Sequence, residues 1–416
     1  MSPPPSRRDF LGALAGISAG YAALPSLRTV EMQDGESAWR TLQAEFGFGD
    51  KLVPMNAANM CPPPREVIAA VEAANRSVDA DVSFHNRARF NTLRETVRSR
   101  VARFLGGDPD EFAIIRNASE GNNIVIAGLE LRAGDEVLIT DQNHPSNGLA
   151  WEAQAARRGF TVKRVDLPPN PPSSAELRAT ITAALTPATR VLAFSDVSNS
   201  SGMRLPAAEL CRLGRERGIH VHIDGAQSMA AMRLSMRELG AGSYTASTQK
   251  WLMGPREGGI LFVRSDLVPT LRPLVISRGF SDPTDPGPAS ARKLDMLGQR
   301  NEGVMAGIEA AVGFVERIGI ERIQARVEAL AARLTAGLRS IPGYRLVTPS
   351  APDCSLGVVV GQFEGLDHQK LHDRLYHGHR IAGAPTGGLR LCPHVYNTLA
   401  DVDRAVGAVA AAVREI

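Results

Sequence analysis

The chain has 416 residues, of which 44% are hydrophobic and 22% are charged, so it is neither a small disulfide-stapled scaffold, nor wholly disordered, nor a multi-span membrane protein. The 47 Lys and Arg residues nearly balance the 44 Asp and Glu residues, which leaves a net charge of +3, and aromatic residues make up only 5%. Nucleic-acid-binding proteins usually carry clustered basic stripes with stacking aromatic residues, so no nucleic-acid partner is expected.

The first 30 residues form a separate unit. Arg7 and Arg8 are followed by the uncharged, moderately apolar run Ala13–Leu24. A basic start before a short apolar run is typical of a signal peptide, and the paired arginines resemble the twin-arginine export signal, which is a receptor-read address. The run is too short to span a membrane comfortably. Residues 1–30 are therefore predicted to be an export signal, with an uncleaved membrane anchor as the alternative.

After this segment, helix and strand patterns alternate along the chain. Apolar periodicity predicts helices over about 65–77, 91–105, 118–129, 147–158, 175–185 and 206–217. Short apolar runs typical of buried parallel strands lie at 112–115, 136–139, 190–194, 219–223 and 259–263. This alternation favours an α/β fold in which helices cover both faces of a mostly parallel sheet.

The pattern changes beyond about Asn301. A long helical stretch is followed by two predicted strands, near 356–360 and 388–391, and by a closing helix that begins at Leu399. We therefore predict an N-terminal segment and large domain over 31–300 and a smaller C-terminal α+β domain over 301–416.

The four cysteines are far apart and form no cluster with the spacing of metal ligands, so no metal site is expected. They are Cys61, Cys211, Cys354 and Cys392. Scattered cysteines are more often buried thiols than disulfides, so packed thiols are expected. A disulfide is the alternative if the protein is exported.

An acid and a lysine stand where ligands bind to open α/β sheets. Asp224 follows the predicted strand 219–223 directly, at its carboxyl end, and Lys250 lies in a polar turn flanked by apolar, Gly and Pro residues. A partly desolvated lysine can form a Schiff base with a cofactor aldehyde, and a carboxylate can keep a pyridine nitrogen protonated. Taken alone, the pair is weak, because a structural lysine and an ordinary strand-end aspartate would have the same pattern.

Four more stretches strengthen this interpretation. They are Asn117–Asn123, Asp141–Asn147, Ser195–Gly202 and Gly387–Thr398, and they occur in the order found in one family. From about Lys51 to its C-terminus the sequence resembles the class V aminotransferases, fold-type I pyridoxal 5′-phosphate (PLP) enzymes that include cysteine desulfurases and isopenicillin N epimerase.

The resemblance implies a role for each site residue. In the cofactor site, Ser119 and backbone N–H groups would hold the phosphate at a helix N-terminus, and His144 would stack on the ring. Asn199 would contact the ring hydroxyl beside Gln227. Asp224 would pair with the ring nitrogen. Ser247 would bind the cofactor next to Lys250, which would form the Schiff base, and Arg390 would pair with the substrate α-carboxylate.

The sequence also departs from the family pattern. Ala118 lacks a hydroxyl often found there, Gln249 stands where many relatives carry His, and Gln299 stands where relatives often show a Thr that reaches the phosphate across a dimer interface. These changes alter positions linked to the phosphate in relatives, and the resemblance implies a homodimer. The loop 380–387 has no cysteine where desulfurases carry one, so persulfide chemistry is not expected.

The sequence thus predicts an exported, periplasmic PLP enzyme that acts on a small-molecule amino acid or amino-bearing metabolite through an external aldimine. Aminotransferase, epimerase and lyase chemistry all stay open, and a non-catalytic exported binding protein with the same fold is the alternative. Exported relatives modify siderophore precursors, which makes such a substrate a hypothesis. Extra anion contacts to it would come from Arg87, Arg89, Arg278 and Arg300.

Overall fold

A computed structural model describes residues 35–49, 51–277 and 290–416. The predicted export signal at 1–30 and Arg278 lie outside the described residues. Within the described part, no helix has the length and apolar character needed to cross a membrane.

The strands and helices are numbered in chain order. The strands are β1 Val53–Pro54, β2 Phe112–Ile115, β3 Glu136–Thr140, β4 Thr161–Val165, β5 Thr189–Ser195, β6 His220–Asp224, β7 Ser243–Ser247, β8 Gly259–Val263, β9 Tyr344–Leu346, β10 Val359–Phe363, β11 Ile381–Ala382 and β12 Leu389–Leu391. The α-helices are α1 Glu36–Gln43, α2 Arg65–Ala80, α3 Phe84–Leu105, α4 Ala118–Gly128, α5 Pro145–Arg158, α6 Ser174–Ala184, α7 Ala207–Glu216, α8 Met236–Leu239, α9 Glu302–Ile318, α10 Ile320–Arg339, α11 His368–His379 and α12 Leu399–Glu415.

A seven-stranded sheet forms the centre of the molecule. Its strand order is β2-β8-β7-β6-β5-β3-β4. Strand β8 runs antiparallel to β2 and β7, and the other neighbouring strands are parallel. Strands such as β2 and β8 are buried at every residue, as expected for a sheet that helices cover on both faces. The predicted α/β fold with a mostly parallel sheet is therefore confirmed.

Two strands of the central sheet, β4 and β7, were not predicted because their sequences lack a continuous apolar run. Strand β4 is partly exposed because it lies at the sheet edge, and its sequence includes Lys163 and Arg164. Strand β7 is fully buried but is built from small and polar residues around Tyr244. Helix α3 begins at Phe84, earlier than predicted, because Ser83 caps it by accepting a hydrogen bond from the Asn86 N–H.

The C-terminal part forms a smaller antiparallel sheet of order β12-β10-β9. A separate parallel pair joins β1 to β11, so the chain segment at Val53 and Pro54 lies against the C-terminal strands. Val53 and Met55 share an apolar core with residues of α10, α11 and α12. This contact positions the segment that follows β1 beside the main sheet, while the division of the chain at residue 300 stays a prediction.

Candidate active site

The carboxyl ends of the central parallel strands and the N-terminus of α4 enclose a cavity of about 210 Å³. Its lining includes every residue that the sequence predicted for cofactor binding. These residues are Ser119, His144, Asn199, Asp224, Gln227, Ser247 and Lys250. Residues separated by more than 100 positions in the chain are thus brought together by strand ends that meet at one edge of the sheet.

Lys250 lies in the turn that follows β7. The turn is held by backbone bonds from Met253 N to Lys250 O (2.8 Å) and from Thr248 N to Gly258 O (2.9 Å). Among the described residues, the Lys250 Nζ atom has no hydrogen-bond partner. Burial lowers the pKa of Lys250, the nearby carboxylate of Asp224 opposes this shift, and the positive charge of Arg390 adds to it. A lowered pKa increases the fraction of the neutral, nucleophilic amine.

Asp224 ends β6 and is buried. Its Oδ2 accepts a hydrogen bond from Asn122 Nδ2 at 2.8 Å, and its Oδ1 accepts one from the backbone N–H of Ala226 at 3.2 Å. Both donors are neutral, so the carboxylate keeps capacity for a cationic partner in the cavity. Sequence reasoning missed Asn122 as a site residue, although it lies inside the Asn117–Asn123 motif, one helical turn after Ala118.

The N-terminus of α4 supplies an anion-binding end of the cavity. Asn117 caps the helix by accepting the Glu120 N–H at 2.9 Å, and the Ala118 N–H donates to Ser247 Oγ at 2.8 Å. The Oε1 atom of Gln249, a residue that also lines the cavity, is buried and unpartnered within the described part of the chain. A helix N-terminus with hydroxyl and amide side chains beside it suits a phosphate group.

A neutral imidazole borders the same cavity. His144 Nδ1 accepts the Ser146 N–H at 3.2 Å and lies 2.8 Å from Ser146 Oγ, which leaves the ring proton on Nε2. Burial lowers the pKa of His144, and the nearby Asp224 carboxylate only partly offsets this. A flat, uncharged ring at this position suits stacking on a cofactor ring.

The side chains of Gln227 and Asn199, both predicted to bind the cofactor, differ in their hydrogen bonds. The amide of Gln227 is fixed by Nε2 donating to Ala58 O (2.9 Å) and by Oε1 accepting from Trp251 Nε1 (2.8 Å). Asn199 makes no side-chain hydrogen bond to any described residue, so its amide is available to the cavity. Gln227 is therefore positioned in advance, whereas Asn199 keeps its full hydrogen-bonding capacity.

Arg390 lies beside the cavity without lining it. Its Nη1 donates to Asn199 O at 2.9 Å and its Nη2 donates to Asn56 Oδ1 at 3.0 Å. Its Nε is buried with no partner among the described residues. Asn56 follows β1 and was not predicted from the sequence, because its position depends on the pairing of β1 with β11. Arg390 thus has a free donor and a charge close enough to lower the pKa of Lys250.

Comparison with known proteins identifies the family. The model of the family described as Aminotransferase class-V matches residues 56–405. The chain belongs to the class-V aminotransferase family. It is 31% identical to isopenicillin N epimerase of Amycolatopsis lactamdurans over 88% of this chain and 97% of that protein. It is 29% identical to isopenicillin N epimerase of Streptomyces clavuligerus, over 91% and 99% of the two chains, and 28% identical to a cysteine desulfurase of Klebsiella pneumoniae, over 86% and 92%.

Solved structures share the fold at lower identity. A lysine mutant of C-DES with glycine covalently linked to its PLP cofactor has a TM-score of 0.81 and 24% identity, and the match covers 88% of this chain and 98% of that one. A cysteine desulfurase of Escherichia coli has a TM-score of 0.81 and 22% identity over 92% of this chain and 100% of its own. The fold-type I architecture expected from the sequence is therefore confirmed.

A class-V aminotransferase is a PLP-dependent enzyme, and the residues present fit PLP. Among the described residues, the cavity offers a lysine without a hydrogen-bond partner, a buried carboxylate that accepts from neutral donors, and a helix N-terminus suited to an anion. When bound, PLP supplies an electron sink for the substrate carbon next to the amine.

Of the arginines proposed to contact a larger acidic substrate, the three that the structure describes do not line the cavity. Arg87 pairs with Glu302 at 3.4 Å, Arg89 donates to Ser77, and Arg300 donates to the backbone carbonyl of Ile114. Each of these three side chains thus has a partner within the protein, and none of them supplies the expected anion contact in the cavity.

All four cysteines are buried and free of disulfides. Burial raises the pKa of Cys211 to about 12 and of Cys354 to about 11, and it also raises the pKa values of Cys61 and Cys392. A thiol with a raised pKa is a poor nucleophile. The expectation of packed thiols is therefore met.

Proposed function

We propose that this chain is an exported PLP-dependent enzyme that acts on a small-molecule amino acid or amino-bearing metabolite as an epimerase, an aminotransferase or a lyase. The observation that carries this proposal is the shared site of Lys250, Asp224 and Arg390, in which a desolvated lysine faces one buried carboxylate and one buried guanidinium. Secreted siderophore precursors with a free amine belong to the substrate class to be tested.

Each of these three side chains has a separate task in the proposed reaction. Lys250 would hold the cofactor through its amine, and the same amine would remove or return the proton at the substrate α-carbon, where bound PLP would supply an electron sink. Arg390 orients the substrate carboxylate, because its guanidinium has a buried Nε free to donate. Asp224 offers its carboxylate to the cofactor ring nitrogen.

Two features favour this proposal over a cysteine desulfurase. The loop between β11 and β12 contains no cysteine. It is also short and pinned, because Ala384 and Arg390 exchange backbone hydrogen bonds of 3.0 and 2.8 Å. A side chain on Gly387 would lie 2.0 Å from the carbonyl oxygen of Ser200. Since each cysteine of the chain is buried, we propose that no persulfide forms on the enzyme.

Export and assembly form a separate part of the proposal. The twin-arginine pattern at Arg7 and Arg8 supports export to the periplasm without stable membrane insertion after cleavage, and the family resemblance supports a homodimer. Cell fractionation of wild type and of the Arg7→Lys, Arg8→Lys double variant tests export, and light scattering of the purified enzyme tests the dimer. Equal periplasmic levels of both proteins, or a monomeric mass, would contradict the respective statement.

The reaction is tested on purified, PLP-loaded enzyme with a panel of L- and D-amino acids and siderophore precursors. Visible absorbance follows the lysine-linked cofactor, and proton NMR in D₂O follows exchange at the α-carbon. Loss of the absorbance band that a 2-oxo acid restores indicates transamination. A persistent band with α-proton exchange indicates epimerase chemistry, or lyase chemistry when a fragment is released. If no substrate causes either change, the proposed function is wrong.

A further inference from the structure

A continuous line of hydrogen bonds leads away from Asp224 into the protein interior. It runs from Asp224 Oδ2 to Asn122 (2.8 Å), from Asn122 Oδ1 to His222 Nε2 (2.9 Å), and from His222 Nδ1 to Ser243 Oγ (2.8 Å). It then reaches His220 Nε2, which lies 2.8 Å from Ser243 Oγ. We call the four residues Asn122, His222, Ser243 and His220 the buried hydrogen-bond chain.

Secondary structure brings these residues into line. His220, His222 and Asp224 alternate along β6, so their side chains are on the same side of the strand. Ser243 begins β7 and is the direct partner of His222 in the sheet. Asn122, His222 and Ser243 are fully buried. Water is thereby excluded from the links between them.

Asn122 arrives from α4, which packs closely against this side of the sheet. The position of a β-carbon on the preceding Gly121 would be only 1.9 Å from Thr245 Oγ1 on β7. A side chain at residue 121 would therefore push the helix away from the sheet. The glycine thus permits the close approach that lets the Asn122 amide reach both Asp224 and His222.

The chemistry of the end groups fixes the direction of every bond. Asn122 presents its NH₂ group to the Asp224 carboxylate and its carbonyl oxygen to His222. A carbonyl oxygen only accepts, so the proton of His222 must be on Nε2. The first two links therefore both donate toward Asp224.

The remaining links follow from a neutral His222. Burial lowers the pKa of His222 to about 3 and that of His220 to about 4, so both rings are uncharged near pH 7. Nδ1 of His222 then has a lone pair, which accepts the Ser243 hydroxyl proton. Ser243 Oγ in turn accepts from His220 Nε2. The chain ends at His220 Nδ1, a buried acceptor with no partner in the described residues.

We propose that Asn122, His222 and Ser243 are positioning residues whose aligned hydrogen bonds keep Asp224 ionised and oriented for the ring nitrogen of PLP. This inference rests on the role proposed above for Asp224. All four donors point toward the carboxylate, and aligned hydrogen bonds polarise one another, which favours the anion. Without Asn122, the only remaining hydrogen bond to the carboxylate from a described residue is that of the Ala226 N–H.

The protonation pattern is tested first, without cofactor. The full chain has nine histidines, and selective ¹⁵N labelling of their rings, with His222→Gln and His220→Gln for assignment, reports each tautomer by NMR. We expect both rings to be neutral at pH 7.5 with the proton on Nε2. A proton on Nδ1 of His222, or a charged ring at either position, would overturn the proposal.

The effect on the cofactor is tested with PLP labelled with ¹⁵N in the ring. The wild-type shift should report a protonated nitrogen. His222→Phe, which cannot donate to Asn122, should move the shift toward the unprotonated value and weaken PLP binding roughly tenfold, as expected for a weakened hydrogen bond to a charged group. His222→Gln retains a donor and an acceptor and should restore both readouts.

Thr245→Val is the matched control. Thr245 is buried on the same strand as Ser243, and its hydroxyl donates to Ile260 O (3.1 Å) outside the buried hydrogen-bond chain. This variant should keep the wild-type ring shift. Should His222→Phe fail to fold, Asn122→Ala serves in its place. A wild-type ring shift in His222→Phe or in Asn122→Ala would overturn the proposal.

The two proposals fail separately. If the ring nitrogen is unprotonated in a wild-type enzyme that exchanges substrate α-protons, the buried hydrogen-bond chain lacks the proposed effect while the proposed function stands. If the histidine tautomers and the ¹⁵N shift of the PLP ring are as expected but no substrate reacts, the role of the buried hydrogen-bond chain is supported and the proposed function fails.

Discussion

Two aspartates in this protein are equally buried but have opposite surroundings. Asp295 accepts from Arg98 Nη2 at 3.0 Å and from the backbone N–H of Ile114 at 2.9 Å. Within the described part of the chain, Asp224 accepts from two neutral donors, the Asn122 amide and the Ala226 N–H. Both side chains are almost fully inaccessible to solvent. A buried carboxylate that already forms an ion pair stabilises the fold, whereas one that accepts from neutral donors keeps capacity for a cationic ligand.

The largest effect is expected at the lysine that faces Asp224. Lys250→Ala should remove the lysine-linked absorbance band and lower the rate of substrate α-proton exchange roughly a thousandfold, because a positioned acid–base group is lost. Lys293→Met is the control, since Lys293 is also buried but its Nζ donates to Val268 O at 2.6 Å. Exchange at the wild-type rate in Lys250→Ala would show that another residue moves the proton.

Removing the paired aspartate should affect stability instead. Asp295→Ala leaves the buried Arg98 guanidinium with the half-exposed Glu95, at 3.2 Å from its Nε, as its remaining carboxylate partner, so the free energy of unfolding in urea should fall by about 3 kcal/mol. The PLP affinity of the remaining folded protein should be unchanged. Asp224→Asn should give the reverse pattern, with weaker PLP binding and a smaller change in stability. An equal loss of stability in both variants would break the comparison between the two aspartates.

Arg390 extends the comparison to the substrate. Arg390→Lys should raise KM for a carboxylate-bearing substrate roughly tenfold to a hundredfold, because a lysine cannot make the bidentate contact of a guanidinium. The decarboxylated amine of the same substrate should bind both enzymes equally. If KM rises to the same extent for both compounds, the substrate carboxylate is not the partner of Arg390.

The smallest expected effect is on the pH dependence of folding stability. It concerns His222, which is linked to Asp224 through Asn122. Folding lowers the pKa of His222 from 6.5 to about 3, so the unfolded chain binds more protons between these pH values. Stability is therefore lost as the pH falls through this window, by up to about 1.4 kcal/mol per pH unit. In urea titrations from pH 7 to pH 5, His222→Gln should show a shallower loss than wild type. Parallel profiles would mean that His222 titrates alike in both states.

The sequence was sufficient for most of the fold and for seven of the residues that line the cavity. Apolar runs predicted β2 and β8 with their observed bounds, and motif resemblance predicted Lys250 and Asp224. Strand β7 was missed because its small and polar residues are buried by neighbouring elements and show no apolar run of their own. Local patterns do not report such tertiary burial.

The residues that support the site were harder to predict for a related reason. Asn56 reaches Arg390 only because β1 pairs with a strand more than 300 residues later. In the sequence, His222 is an ordinary residue of a buried strand. Only the structure shows that it contacts Asn122 and Ser243. Such roles depend on partners that are distant in the sequence, and neither spacing nor residue type identifies them.

Helix α4 fixes the distance between two points of the candidate active site, its own N-terminus and the side chain of Asn122. Its first residues line the cavity, and Asn122, one turn further along, donates a hydrogen bond to the Asp224 carboxylate. A helix advances about 5.4 Å per turn, so these two anchor points cannot shift independently. Insertion of a single residue between Ala118 and Asn122 would rotate the amide away from Asp224 by about 100°. The helix therefore fixes the distance between the residues at its N-terminus and the amide that holds Asp224, so a change of length at one point would displace the other.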